Sequence, residues 1–369
     1  MHIKQSFILT ILLAVGVGSA HANTTQEDGS IDLNALYQQI DEAILQSPQF
    51  VAERERQIDV CRERLTKEQS ANDSVGIAEE LFLLYQPYKN DSALYYAEMC
   101  IRLANALQRP DLEGRFRSML AYQCSNAGMY TESLEQLHLV KESALDKKGL
   151  CEYYNAWMHV CGEIGYYTQR PKVQERYYGL QNQYRDSVLT VAEEGSEHYL
   201  HLKMDILSAR RLYQDALAIS DEWIKKVSDD THESAYAAFY RSMVYDKLKN
   251  HDKVCYWLGK SALADIRCAV MNQASLLFLA EHLADDGDID RAHRYVEFTK
   301  ECNLFFCPLL RNYQVNSVVN VYEKSSQANQ NRASMTLFIA AGLIIMLLLI
   351  LIVIVLSAPL FALLRKDDI

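Results

Sequence analysis

The chain has 369 residues, a formal net charge of -11 and a pI near 5.4. That balance, with no basic patch, argues against a nucleic-acid partner, because phosphate binding requires concentrated Lys and Arg. With 14 Gly, 6 Pro and 49% apolar residues, the composition favours an all-helical fold over a turn-rich β architecture.

The first apolar run covers residues 7–17, preceded by Lys4 and followed by Ser19-Ala20-His21-Ala22. A basic start, a short apolar segment and a small-x-small site predict a secretory signal peptide over 1–22, cleaved after Ala22. Residues 23–324 are then an exported domain that opens with a polar stretch over 23–31. From 33 to 69 the pattern predicts two long helices separated at Ser47-Pro48, since the residue before a proline avoids the α region. The second is highly charged and turns Phe50, Ile58 and Leu65 inward.

The chain then repeats itself. NDSALYYAEMCIRLA from Asn90, MYTESLEQLHLV from Met129, LYQDALAISDEWI from Leu212, NHDKVCYWLGKSAL from Asn250 and GDIDRAHRYVEFTKEC from Gly287 share one pattern. Each has a polar turn with an acidic residue, then Ala93, Ser133, Ala216, Val254 or Ala292 ahead of an amphipathic helix. The steps are 40, 83, 38 and 38 residues, and a diverged unit over 173–189 fills the double step. A period near forty shared by two helices predicts a tetratricopeptide-like α-solenoid. The small residue lets paired helices approach closely, and aromatics fill the groove of the next pair. The Tyr doublets 95–96, 153–154, 166–167 and 177–178 are therefore read as inter-repeat core. Gly128, Gly162, Gly165 and Gly287 are expected at helix ends.

Chemistry is sparse. The nine Cys (61, 100, 124, 151, 161, 255, 268, 302 and 307) contain no CxxC, and most sit at apolar helix positions, which suits small buried hydrophobes. His198, His201 and Asp205 share one face of a helix without the HExxH spacing, so a polar groove patch is favoured over a metal site. The acidic run 285–290 lacks the Gly and Glu positions of a calcium loop and reads as a turn between repeat helices. No GxSxG, P-loop or GxGxxG occurs. No enzymatic activity, cofactor or metal is expected. Polar residues on the first helices of the repeats are the candidate partner contacts: Arg115, Gln123, His201, Asp205, Arg241 and Gln273.

A polar linker, SSQANQNRAS, occupies 325–334. The uncharged run MTLFIAAGLIIMLLLILIVIVL over 335–356 follows, long enough at ~1.5 Å per residue to cross a bilayer of ~30 Å. Arg365 and Lys366 in the short tail 357–369 place that tail in the cytoplasm. The expected location is the inner membrane, single-pass, with the N-terminal domain in the periplasm.

LNALYQQIDEAI, FVAERERQID, NDSALYYAEMCIRLANAL, GMYTESLEQL, SALADIR and GDIDRAHRYVEF together span most of 32–322, and their order and spacing resemble a Bacteroidota family of membrane-anchored tetratricopeptide-like sensor and regulator proteins. The resemblance implies an exported repeat region, one transmembrane helix and a cytoplasmic regulatory region. Relatives usually continue past the membrane into a long cytoplasmic region, and the short tail after 356 leads to the expectation that this region is missing here. Three functions are in view. The first is a membrane-anchored periplasmic scaffold that takes a protein or peptide in its solenoid groove. The second is a sensor ectodomain acting through a separate cytoplasmic regulator or through homo-oligomers. The third is a glycan-binding accessory protein.

Overall fold

The computed structural model describes residues 31–68, 70–306, 335 and 337–351. Among them every regular element is helical. A long helix α1 (Leu33–Lys67) precedes six antiparallel pairs. These are α2 (Ala71–Tyr85) with α3 (Asn90–Ala106), α4 (Pro110–Asn126) with α5 (Tyr130–Leu139), and α6 (Lys147–Tyr167) with α7 (Pro171–Val191). They continue as α8 (Glu197–Ala209) with α9 (Tyr213–Lys226), α10 (His232–Lys247) with α11 (His251–Arg267), and α12 (Ala274–Asp285) with α13 (Ile289–Phe306). Each repeat segment read from the sequence begins a second helix: α3, α5, α9, α11 and α13. The diverged unit is α7. Ala93, Ser133, Ala216, Val254 and Ala292 are all buried where paired helices meet. The arrangement is a tetratricopeptide-like solenoid.

A single turn closes most of the steps. The backbone N–H of Arg109, Met129, Leu212, Asn250, Val270 and Asp288 each donates to the carbonyl five residues back, at 2.9–3.1 Å. That bond defines the Schellman closure, which needs a left-handed residue just before the donor. Gly128 and Gly287 supply it at φ 82° and 91°, while Gln108, Arg211, Lys249 and Ala269 adopt it with a side chain present. Gly287 thus makes the 285–290 acidic run a helix-to-helix turn, as its sequence implied.

Gly162 and Gly165 behave differently from the expectation of helix ends. Both lie inside α6. A Cβ on Gly165 would stand 2.8 Å from the Tyr178 ring, and one on Gly162 would stand 2.5 Å from Gln181 Nε2. The missing side chains admit α7 at close range, so the packing of the pair uses them rather than a chain reversal.

The break expected at Ser47-Pro48 does not form either. α1 runs unbroken from Leu33 to Lys67 with Pro48 inside it. Proline there forfeits one backbone hydrogen bond and crowds the preceding turn. The helix persists because both halves are held. Leu36, Tyr37, Ile40 and Ala43 join one core with residues of α8–α13. Ile58 and Cys61 join a second core with α2, α3 and α4, and Phe50 and Leu65 pack against it. Tyr295 donates to the Tyr37 carbonyl at 3.2 Å, Arg54 to the Cys268 carbonyl at 2.7 Å, and Tyr88 to Glu55 at 2.6 Å. The Met271 amide also donates to the Pro87 carbonyl at 2.8 Å. The beginning and the end of the solenoid are therefore tied to each other and to α1.

Residues 337–351 are helical with exposed side chains. Among the described residues no helix is long and apolar enough to cross a membrane. The expected signal peptide 1–22, the linker 325–334, Cys307, residues 352–356 of the expected span and the tail 357–369 lie outside the described residues.

Candidate functional site

The first helices of successive repeats touch one another, α4 with α6 and α8 with α10. Their shared face carries a row of rings. On α10, His232, Tyr236 and Tyr240 recur every fourth residue and so stand above one another. His232 lies 4.6 Å from Tyr236, and Tyr236 stacks on Tyr240 at 6.4 Å. His201 of α8 stacks on Tyr240 at 3.8 Å, with Trp223 of α9 at 6.1 Å behind. Asp205, one turn along α8, is 3.4 Å from His201 Nε2 and is exposed. Burial pushes the Tyr240 phenol well above its ordinary pKa, and the negative charge of Asp205 acts in the same direction. Tyr240 therefore stays a neutral hydroxyl at physiological pH. Further along, Tyr122 of α4 stacks against His159 of α6 at 4.3 Å, and His159 Nδ1 is 2.9 Å from Ser125 Oγ. Neutral aromatic faces beside one exposed carboxylate can bind by stacking and hydrogen bonding.

The six residues chosen from the sequence divide into two groups. His201 and Asp205 belong to this row. The other four are buried within the repeats. Arg115 pairs with Glu79 across α2 and α4. Gln123 donates to Asn90 Oδ1 at 2.6 Å and to the Gln86 carbonyl at 3.3 Å. Arg241 pairs with Asp221 while its guanidinium lies over Trp257, 4.7 Å from the ring centre. Gln273 donates to the Val270 carbonyl at 2.6 Å. Arg115, Gln123 and Arg241 hold neighbouring repeats together, while Gln273 closes the turn that leads into α12. Gln273 also lines a cavity of about 210 Å³ between Ser47 and Val51 of α1 and Phe298 and Cys302 of α13. Sequence position placed all six on or beside first helices but did not separate the open stripe from the packed one.

A second cluster was not anticipated. His251 and Cys255 lie one turn apart at the start of α11. His282 lies near the end of α12, one turn before Asp286. A ligand atom from each of His251, Cys255 and His282 falls within 4.8 Å of the other two. His251 Nε2 is 2.7 Å from Asp286 Oδ2 and 3.6 Å from Cys255 Sγ. His198, by contrast, does not join His201 and Asp205 in any such group among the described residues. The sequence signal was a pair of i, i+4 donor sets, HDKVC and HLADD, on helices that adjoin only in the folded chain.

The described cysteines are free thiols: Cys61, Cys100, Cys124, Cys161, Cys255 and Cys302 are buried, and Cys151 and Cys268 half-buried. Burial pushes the Cys161 and Cys255 thiols up to about 11, so they stay protonated and behave as small apolar groups.

The paired helices, the shared turn and the first-helix row define a tetratricopeptide-type repeat protein, a class that generally binds proteins or peptides. A family model described as the SusR N-terminal TPR domain matches residues 44–317, most of the chain, and the protein belongs to that family. No curated protein matches it.

Proposed function

We propose that the protein is a membrane-anchored periplasmic scaffold that captures a protein or peptide on its first-helix face. The observation that carries this reading is the row His232, Tyr236, Tyr240 and His201 with Asp205 at its edge. Stacked rings give contact area at low entropic cost, and the carboxylate selects a basic or amide-bearing segment. The protein acts by binding rather than catalysis. The signal sequence over 1–22 and the apolar run over 335–356 support the address.

The test is crosslinking in native cells with the full chain and with a version ending at Ser334. Substituting Tyr236→Ala with Asp205→Ala should abolish capture of an envelope protein by both forms while the melting temperature stays within a few degrees. Undiminished capture by the double variant would overturn the assignment of this face.

The matched family is described as an N-terminal domain. That favours a second reading, a sensor ectodomain whose output is a separate cytoplasmic regulator. A regulator crosslinked only to the full chain would select it.

A further inference from the structure

We propose that His251, Cys255 and His282, completed by Asp286, form a binding site for one divalent transition-metal ion of the zinc type. The donors come from two helices that run antiparallel. The start of α11 therefore meets the end of α12, and each helix offers two donors one turn apart on a single face. One ligand atom from each of the three lies within 4.8 Å of the others. Bonds of ~2.3 Å to sulfur and ~2.0–2.1 Å to imidazole nitrogen require donors ~3.3–3.8 Å apart around a tetrahedral ion, so small side-chain rotations close the site. The fourth donor borders the cluster: Asp286 Oδ2 lies 2.7 Å from His251 Nε2, outside the group of three, and rotation of its side chain would bring the carboxylate onto the ion. An ion replaces the hydrogen bond between these two groups, taking the imidazole nitrogen and the carboxylate oxygen as ligands.

The donor set chooses the ion. Thiolate with two imidazoles and one carboxylate suits zinc and its neighbours, the ion displacing the Cys255 proton to solvent as the metal–sulfur bond forms, whereas calcium and magnesium require oxygen cages. Access is open from the side of His251, which is exposed, while Cys255 is fully buried behind it. The carboxylates of Asp246, Asp252, Asp285 and Asp286 act on the cluster and give it a field that attracts a cation. Behind the sulfur, the Tyr37 hydroxyl of α1 lies near enough to act on Cys255. A hydroxyl that donates to the metal-bound sulfur orients the ligand and stabilises its charge. The ion would therefore fasten α1, α11 and α12 at one point, where the N-terminal helix meets the last two repeats.

Zinc titration of the metal-stripped full chain against a chromophoric chelator tests this, together with the absorption spectrum after cobalt substitution. One ion per chain is expected, with the visible bands of tetrahedral cobalt and a thiolate-to-cobalt charge-transfer band. The double variant His251→Gln with His282→Gln should weaken binding at least ~100-fold at an unchanged metal-free melting temperature, and Tyr37→Phe should weaken it ~10-fold. His198→Gln with His201→Gln should leave it unaltered. If the first double variant fails to fold, Cys255→Ala carries the same comparison, because it exchanges a buried thiol for a smaller apolar group. Zinc held equally by the ligand variants, or a cobalt spectrum without the thiolate band, would overturn the site.

Discussion

The pair α6–α7 and the block formed by α8–α13 with α1 are built from the same helix–turn–helix unit, yet they differ in what covers them. In the block, Leu36, Ile40, Trp223, Leu258, Leu276 and Tyr295 belong to one core that reaches across seven helices. Around α6 and α7 the fully buried set is smaller, Ala121 of α4, Leu137 of α5 and Ala156, Val160 and Cys161 of α6, ringed by half-buried Tyr153, Trp157, Tyr177 and Tyr184. α7 is as long as α6, yet Val188 is its one buried residue. The two helices pack closely on each other and only lightly on α8. In a solenoid each repeat is stabilised by its own fold and by its neighbours' faces. α7 has a partner on one side, whereas α11 has α10, α12 and α1. Stacked rings, such as Trp157 on Tyr184 at 5.2 Å, do between α6 and α7 what aliphatic burial does in the block.

The sharpest way to break this comparison is to delete one large ring from each side. Trp223 is 1% exposed, and Trp223→Ala should cost about 3–5 kcal/mol. Trp157 is half-buried, and Trp157→Ala should cost about 1–2 kcal/mol, because its cavity opens to water. Denaturant unfolding of both variants checks this, and equal losses would mean that the aromatic ring of α6–α7 is as much a core as the block's.

Arg241→Leu comes next. It removes a buried cation from Trp257 and from Asp221, and the abandoned Asp221 is 43% exposed and keeps its hydration. A loss of about 2 kcal/mol is expected, against less than ~0.5 kcal/mol for Arg176→Leu on the exposed face of α7. Thermal melts that rank the two in the other order would return Arg241 to the list of partner contacts.

A finer contrast uses glycine. A Cβ on Gly259 of α11 would stand 2.7 Å from Leu36 Cδ2 and 3.4 Å from Ile40 Cδ1, both fixed in the α1 interface. Gly259→Ala should therefore cost about 1–2 kcal/mol despite the better helix propensity of Ala. Gly165→Ala meets Tyr178, which is half-buried and can yield toward solvent, so it should cost less, under about 1 kcal/mol. Melting both variants side by side reads the rigidity of the two interfaces directly.

These contrasts also mark where the sequence was legible. The small residues Ala93, Ser133, Ala216, Val254 and Ala292 announced the second helices, because close approach leaves no other choice at that position. The spacing alone called for α7. Burial was harder to read. Arg115 and Arg241 look like surface cations, and only the folded chain shows Glu79 and Asp221 supplied by neighbouring helices. Pro48 reads as a break unless both halves of α1 are known to have partners. His251 and His282 are separated by nearly one repeat, and only the antiparallel packing of α11 on α12 makes them neighbours.

The smallest expected effect separates the two regions by pH. Asp265 of the block is buried, 2.8 Å from His232 Nδ1. Burial raises its pKa, and the opposing pull of His232 does not cancel the rise. In the unfolded chain the carboxyl titrates near ~3.9. The folded state thus holds this proton more tightly than the unfolded one. The resulting stabilisation is fully present below about pH 4 and is lost as the pH rises through the higher folded value. Asp265→Asn cannot ionise, and its amide retains a partner for His232. Melting temperatures of the two proteins across pH 4–7 should therefore diverge in favour of Asn as the pH rises, by the equivalent of about 1 kcal/mol or less. Cys161, the buried thiol of the α6–α7 core, is pushed up to about 11 and does not ionise in this window. Parallel curves would mean that His232 fully compensates the burial of Asp265.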